Sequence, residues 1–499
     1  MGVPNEIELK LEIEPGHIPR LEAHPLLEAV ASRREIQSLR SVYFDTDDFA
    51  LCESEVALRV REVGGRYIQS IKASRDAEFL NRAEWEVEVP GPFPDLALAK
   101  GTVLEKLLEN RPDDCLKPVF ETRVRRTLYR IGQDGASIEL VLDQGVIEAG
   151  LRQATVCEVE LELKQGEAAS LFRLARVLGA MIPLRLAVRS KAERAYCLAR
   201  GGEPDPVEGS KEVKLEPSMR CGDAFKIVAR TCFRQLDANL AQMCAGNAEG
   251  LHQLRIGLRR LRAAIALFAP IFAGEERDRI EAELKWMTQG LGPARDLDVL
   301  IRHVVRHRAE LGLRQDRLAE SLPSIRERRD WAYVQAGAMV RSQRFCAGLL
   351  DIAEWIETGI GTRGACPHDE SIEAYAAHVL ARQRKKIRKR GALLATLDVG
   401  ERHGLRIRAK TFRYGTEFFA SLFPGKKSNT RREAMLNALK LLQDTLGDLN
   451  DIAMHEALLA ESGEDRSPTI ASEAETEALI GGAEQAHAAF AKVKPFWKS

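Results

Sequence analysis

No two cysteines of this chain stand three positions apart. Its nine, at Cys52, Cys115, Cys157, Cys197, Cys221, Cys232, Cys244, Cys346 and Cys366, are scattered and odd in number, which excludes a zinc ribbon and a regular disulfide framework and leads us to expect reduced thiols in a cytoplasm. No apolar run approaches the about 18 residues of a membrane span, and the first residues are acidic rather than basic-then-apolar, so neither anchor nor leader is expected. Aromatic residues make up only 6%, leaving few platforms on which single-stranded nucleic acid could stack. Neither sign of charge prevails, since Lys plus Arg and Asp plus Glu each total 74; any anion-binding site must therefore be a local segregation of charge. At 499 residues the chain exceeds one ordinary core, and two or three domains are expected.

What is present begins with "EIELKLEIE". With a period of two, Glu6, Glu8, Lys10, Glu12 and Glu14 share one face of a strand and Ile7, Leu9, Leu11 and Ile13 the other. Taken singly, such a segment reads as a strand with a solvated face. The pattern recurs, however, in "RAEWEVEV" (Glu84, Glu86, Glu88) and "CEVELELK" (Glu158, Glu160, Glu162, Lys164), and basic residues alternate in "LRVRE" (Arg59, Arg61), "ETRVRRT" (Arg123, Arg125) and "VRSKAE" (Arg189, Lys191). If these strands closed with the charged faces inward, acids and bases would line one lumen. Carboxylates from neighbouring strands supply hard oxygen ligands suited to Mg²⁺ or Mn²⁺, and the bases suit a highly charged phosphate. Whether Arg123 or Arg126 faces inward hangs on register, because a one-residue slip inverts the face.

Short alternating segments fill residues 1–200, and the Gly/Pro-rich stretch 201–220 reads as a linker. From 221 to 499 the period becomes helical, with an internal echo: "HQLRIGLRRLRAAIALF" at 252 is answered by "HGLRIRAKTFRYGTEFF" at 403, and "LGPARDLDVL" at 291 by "LGDLNDIAMH" at 446. We read a duplicated unit of about four helices per copy, spanning about 221–350 and 370–499. His252, Arg255, Arg259 and Arg262, like His403, Arg406, Lys410 and Arg413, fall within an arc of about 80° on their helix, beside the basic run "RQRKKIRKRG" that holds Lys386 and Lys389. A charge run is usually a solvated face, but this one is duplicated at the same spacing, which favours an anion site.

Glu6-x-Glu8-x-Lys10, followed in order by "YFDT", "LRVR", Lys72 of "IKAS", "RAEWE", "LDQG", "CEVELELK" and "RSKAERAY", resembles the CYTH superfamily, the triphosphate tunnel metalloenzymes. The resemblance covers the first 200 residues. It implies an α+β chain whose N-terminal domain is an eight-stranded antiparallel β-barrel with flanking helices, hydrolysing triphosphate with divalent metal. It further implies Glu8 and Glu162 as ligands of one metal, Glu6, Glu84 and Glu160 around a second that activates water, and Lys10, Arg59, Arg61, Lys72, Arg123, Arg125, Lys164, Arg189 and Lys191 as phosphate-binding groups. The helical half resembles the CHAD domain, which implies an all-α domain of two pseudo-symmetric four-helix bundles binding inorganic polyphosphate through the two basic stripes with Lys386 and Lys389. The expected activity is hydrolysis of inorganic triphosphate in a cytoplasm, with attachment to polyphosphate granules where these occur. Adenylate cyclase, thiamine or nucleoside triphosphatase, and a non-catalytic polyphosphate receptor are the alternatives; no membrane is expected as a partner, and nucleic acid is the weaker option.

Overall fold

The structure is a computed structural model that describes residues 5–73, 80–112, 115–272, 274–311, 322–359, 371–460 and 473–498. The chain divides into two compact units. One comprises Met1–Gly209, Phe233–Leu254 and Gly337–Gly359; the other comprises Ser210–Cys232, Arg255–Ala336 and Ile360–Ser499. Among the described residues no helix is long and apolar enough to cross a membrane. Seven of the described cysteines carry free thiols, whereas Cys221 is joined in a disulfide, a departure from the all-thiol expectation.

The first unit is built on an antiparallel sheet of β1 (Asn5–Glu12), β2 (Glu35–Asp45), β3 (Val56–Val63), β4 (Arg66–Ala73), β5 (Asn81–Val89), β6 (Lys117–Gln133), β7 (Ala136–Ala149), β8 (Arg152–Gln165) and β9 (Arg185–Leu186). Its order is β5-β4-β3-β2-β6-β7-β8-β1-β9. On the edge of β1 opposite β8, β5 takes residues 5–7 and β9 takes residues 11 and 12; the sheet curls until its first and last strands meet at β1. Alternation then divides the faces. Leu9, Leu11, Val159 and Leu161 are fully buried on the outer side, where β1 and β8 pack against α1 (Ala169–Gly179), whose Leu171, Phe172, Leu174 and Leu178 face inward to them. The opposite side of each strand carries the charges. Towards one end of that inner face Tyr43, Phe120, Val124, Ile147 and Val156 form an apolar cluster with Ala195, Tyr196 and Leu198 of α2 (Lys191–Ala199).

The longer helices that follow are α3 (Cys221–Asp237), α4 (Ala248–Phe268), α5 (Glu275–Gly290), α6 (Gly292–Leu311), α7 (Leu322–Val340), α8 (Gln343–Glu354), α9 (Ile372–Gly391), α10 (Val399–Phe418), α11 (Lys426–Ala460) and α12 (Glu473–Lys492). The echo is visible here with one local difference. Where the first copy reads Leu291-Gly292-Pro293, the proline ring cannot continue a helix and α5 and α6 are separate. The second copy has Asp448 at that place, and α11 runs on unbroken for 35 residues. The copies share a core, with Phe268 of α4 against Tyr375 and Phe419 at centroid distances of 5.6 and 5.5 Å. Arg260 is buried beneath the rings of Tyr414 and Phe418 and bonds Glu417 at 3.2 Å.

Candidate active site and anion-binding helices

The strand registers bring the charged residues into rows. Glu8 stands directly opposite Glu162 and Lys10 opposite Glu160 across β1 and β8, while Lys72 is opposite Glu84 across β4 and β5. Lys10 Nζ lies 3.2 Å from Glu8 and 3.0 Å from Glu160. Lys72 Nζ binds Glu6 at 2.9 Å and Glu84 at 2.8 Å. Arg59 reaches Glu84 at 3.4 Å, and Glu86, held by Ser70 at 2.8 Å, stays ionised below the usual range: burial opposes this, but the Ser70 hydroxyl and the Arg59 and Arg61 charges outweigh it.

Two parts of this face are out of electrostatic balance. Glu162 is pushed up chiefly by burial, with Glu6 and Glu139 adding to it against the ion pair with Lys164. Like charges placed directly opposite on neighbouring strands repel; Glu8 and Glu162, with Glu6 adding to the charge on Glu162, make an acidic corner whose oxygens are of the kind a hard divalent cation takes, each also paired with a lysine. Around the wall the sign is reversed. Arg61 is lowered to about 10 by burial and by repulsion from Arg59 and Arg126; its Nε donates only a long 3.3 Å hydrogen bond to Ser41, and Arg59 Nε is a buried donor with no partner. These donors suit an anion.

Not every expected residue joins this face. The β6 register pairs Arg126 with inner-face Asp143, so Arg123 and Arg125, at odd positions, turn outward. Arg123 is spent on Glu121 at 2.5 Å and Glu148 at 3.4 Å, and Arg125 on Gln144 at 3.4 Å. Their place as cations of the inner face is taken by Arg126, which bonds Asp143 at 2.7 and 2.8 Å and Glu160 at 3.1 Å. Arg189 is likewise drawn away, to Pro206 O at 2.8 Å and Glu208 at 3.0 Å. Lys164 sits towards the exposed end with Glu139 and Glu162. Lys191 is buried among Asp143 at 2.7 Å, Glu158 and Glu160 at 3.1 Å. Asp143 was not singled out from the sequence, although "LDQG" contains it; Glu158 was placed on the charged face without a role, and Arg126 was named as the alternative to Arg123.

On the helices, Arg255, Arg259, Arg406 and Lys410 converge. Lys410 is lowered to about 7 by burial and by the charges of Arg406 and Arg259, and Arg255 to about 10 by burial, with Arg259 and Arg295 opposing Asp296. The Nε atoms of Arg255, Arg259 and Arg406 are buried donors without a partner among the described residues. The duplication extends to backbone contacts. Each arginine lies over the matching glycine: a Cβ on Gly292 would make an ordinary 3.7 Å contact with Arg255 Nη1, whereas one on Gly447 would crowd Arg406 Nη2 at 3.2 Å. His403 meets Asn450 at 2.6 Å, while His252 is half-buried on α4. The stripes' last members fall outside: Arg262 is exposed, and Arg413 pairs with Glu417 at 2.9 Å. Lys386 and Lys389 are exposed on α9, Lys386 being lowered by burial and by Arg382 and Arg408.

Family models match both halves, CYTH domain over residues 4–196 and CHAD domain over 227–460. The chain joins a CYTH domain to a CHAD domain. An inorganic triphosphatase of Haemophilus influenzae is 28% identical over 196 residues, 39% of this chain and 54% of that protein; the match thus spans about half the length of the relative. Among solved structures, the CHAD domain from the plant Ricinus communis is 24% identical with a TM-score of 0.46, covering 57% of this chain and 91% of that one. An adenylyl cyclase candidate from Hippeastrum described as having a dominant triphosphatase activity is 22% identical with a TM-score of 0.29, covering 40% and 96%.

Proposed function

We propose that the CYTH domain hydrolyses inorganic triphosphate to pyrophosphate and phosphate with Mg²⁺ or Mn²⁺, and that the CHAD domain binds inorganic polyphosphate. The observation that supports the first part is the juxtaposition on one inner face of Arg59 and Arg61, the latter lowered by burial and by its cationic neighbours, with the facing carboxylates Glu8 and Glu162, the latter pushed up by burial and by Glu6. A linear triphosphate bears charge enough to satisfy the first, and a divalent ion on its oxygens would satisfy the second. When bound, that ion supplies Lewis acidity and neutralises charge on the phosphate oxygens. The chain's own groups do the remainder. Arg59 and Arg61 hold the oxygens of the transferred phosphoryl group where its charge spreads, Lys72 holds Glu84 in place beside them at 2.8 Å, and Glu84 takes the proton from the attacking water. A receptor without catalysis would have no use for the acidic corner, which repels its anion. The polyphosphate reading rests on the convergence of Arg255, Arg259, Arg406 and Lys410, the Nε donors of the three arginines being buried without a partner among the described residues.

The test is phosphate release from triphosphate, ATP, thiamine triphosphate and long-chain polyphosphate, each with Mg²⁺, Mn²⁺ or a chelator. Triphosphate with metal should be turned over fastest. Faster turnover of ATP or thiamine triphosphate, or turnover undiminished by the chelator, would overturn the assignment.

A further inference from the structure

The first compact unit does not stop at the linker. It takes in Phe233–Leu254 and Gly337–Gly359, which lie inside the stretch that the CHAD model matches. Side chains fasten both segments to it. Arg176 of α1 donates to Asp351 of α8 at 3.3 Å and pairs with Glu354, and Gln343 donates to Ala180 O at 2.8 Å. Asn239 spends its amide on the backbone of Glu208, donating to the carbonyl at 2.9 Å and accepting from the N–H at 3.0 Å; Gln242 donates to Asp205 O at 2.8 Å.

The last turn of α3 reaches further. Arg234, whose side chain is only 15% exposed, commits each of its nitrogens to a different group: Nε donates to Glu208 at 2.9 Å, Nη1 to Val188 O at 3.3 Å and Nη2 to Glu193. Asp237, buried one turn on, accepts from Val188 N at 3.4 Å. Both backbone groups of Val188 are therefore held from α3. Glu193 is the residue that closes the capping box of α2 with Ser190, so Arg234 grips the start of α2 at two points. Lys191 lies between them.

Resting on the reading of the CYTH domain as a triphosphatase in which Lys191 meets phosphate, we propose that Arg234, which follows the linker in sequence, is a positioning residue for that reaction. By holding Val188 and Glu193 it fixes where α2 begins, and so where Lys191 enters the inner face. Its three partners are spread round a planar guanidinium, a span that the single nitrogen of an ammonium does not cover.

Full-length wild type, Arg234→Lys, Glu193→Gln and Arg176→Gln are compared by kcat and KM on triphosphate with metal, by thermal melting, and by hydrogen exchange of the backbone amides of residues 188–193. Arg234→Lys keeps the charge and loses the fork. It should raise KM roughly 10-fold while kcat stays within about threefold, the scale and signature of a group that orients a substrate-binding residue from behind, and it should speed exchange at 188–193. Glu193→Gln keeps the cap and should raise KM to a smaller degree. Arg176→Gln loosens the same unit elsewhere; it should lower the melting temperature and leave KM at the wild-type value. An unchanged KM in Arg234→Lys overturns the inference, as does an equal rise in Arg176→Gln, which would mark a merely structural effect. Should Arg234→Lys not fold, Glu193→Gln decides in its place, an unchanged KM again overturning the inference. Should the wild type hydrolyse no triphosphate, the proposed activity fails on its own, and exchange decides the role of Arg234: selective acceleration at 188–193 in Arg234→Lys upholds its grip on α2, and wild-type exchange there overturns it.

Discussion

Glu8 of β1 and Glu162 of β8 face each other as direct partners in the antiparallel ladder, two carboxylates where a strand pair ordinarily places opposite charges. Replacing either by Gln should relieve that repulsion, by roughly 0.2–1 kcal/mol in the metal-free protein. Metal-dependent hydrolysis should meanwhile fall more than about 100-fold, since several kcal/mol of charge stabilisation depend on the ion's seat. Thermal melts and initial rates at saturating Mn²⁺ check both halves. Near-normal rates in both variants would remove this corner from the mechanism.

The four convergent cations of the helices give a second expectation. Replacing Arg255, Arg259, Arg406 and Lys410 together by Gln keeps helix propensity close to the original. It should weaken long-chain polyphosphate binding and flatten the dependence of log affinity on log salt by roughly 3, as four fewer charges meet a single-stranded polyanion. Hydrolysis of free triphosphate should not change. Affinity measured between low and physiological salt, with circular dichroism to confirm folding, would show the stripes to be solvated faces if neither quantity moved.

Lys410 supplies a pH effect. Its folded-state value of about 7 lies below the ordinary lysine value of 10.5, so between those limits the folded chain holds fewer protons than the unfolded one. Stability gained from this residue therefore rises with pH from about 7 upward, and the full penalty is present below 7. A bound polyanion reverses the shift. At pH 8, binding should thus take up approaching about one proton at this lysine. Calorimetry in two buffers of different ionisation heat should register the uptake, and Lys410→Gln should abolish it.

Gly447 separates stability from binding. In the middle of α11, Gly447→Ala should gain up to roughly 1 kcal/mol of helix propensity, yet its new methyl stands 3.2 Å from Arg406 Nη2 and shifts the guanidinium slightly. Polyphosphate affinity should fall by up to about tenfold, the worth of one charge-assisted hydrogen bond, while the melting temperature holds or rises. A variant that binds normally would show that Arg406 needs no such clearance.

Much of this was legible in local pattern. The two-residue period of "EIELKLEIE" assigned both the strand and its charged face, and the matching offsets at 252 and 403 anticipated helices whose Arg259 and Lys410 meet. What escaped is non-local. In "RVRRT" adjacent basic residues fall on opposite faces, and only pairing with β7 shows that Arg126, not Arg123 or Arg125, turns inward. Lys191 and Arg189 carry the charge of phosphate binders, but their partners, Asp143, Glu158 and Glu160 for one and Glu208 for the other, come from distant segments. Composition cannot reveal which groups stand beside a cation in the fold.

The pair formed by Arg260 and Glu417 bears on the history of the helical half. The position of Arg260 in the first copy is held by Thr411 in the second, so the buried guanidinium and its counter-charge now belong one to each copy. Stranding a buried charge costs far more than a surface pair is worth. The dependence is one-sided: the second copy could not be excised, or replaced by a duplicate of the first, without leaving the Arg260 guanidinium buried and without its carboxylate, whereas Glu417 is partly exposed and keeps Arg413. Symmetry survives in the outline of the helices, but the bond that seals them runs in one direction only.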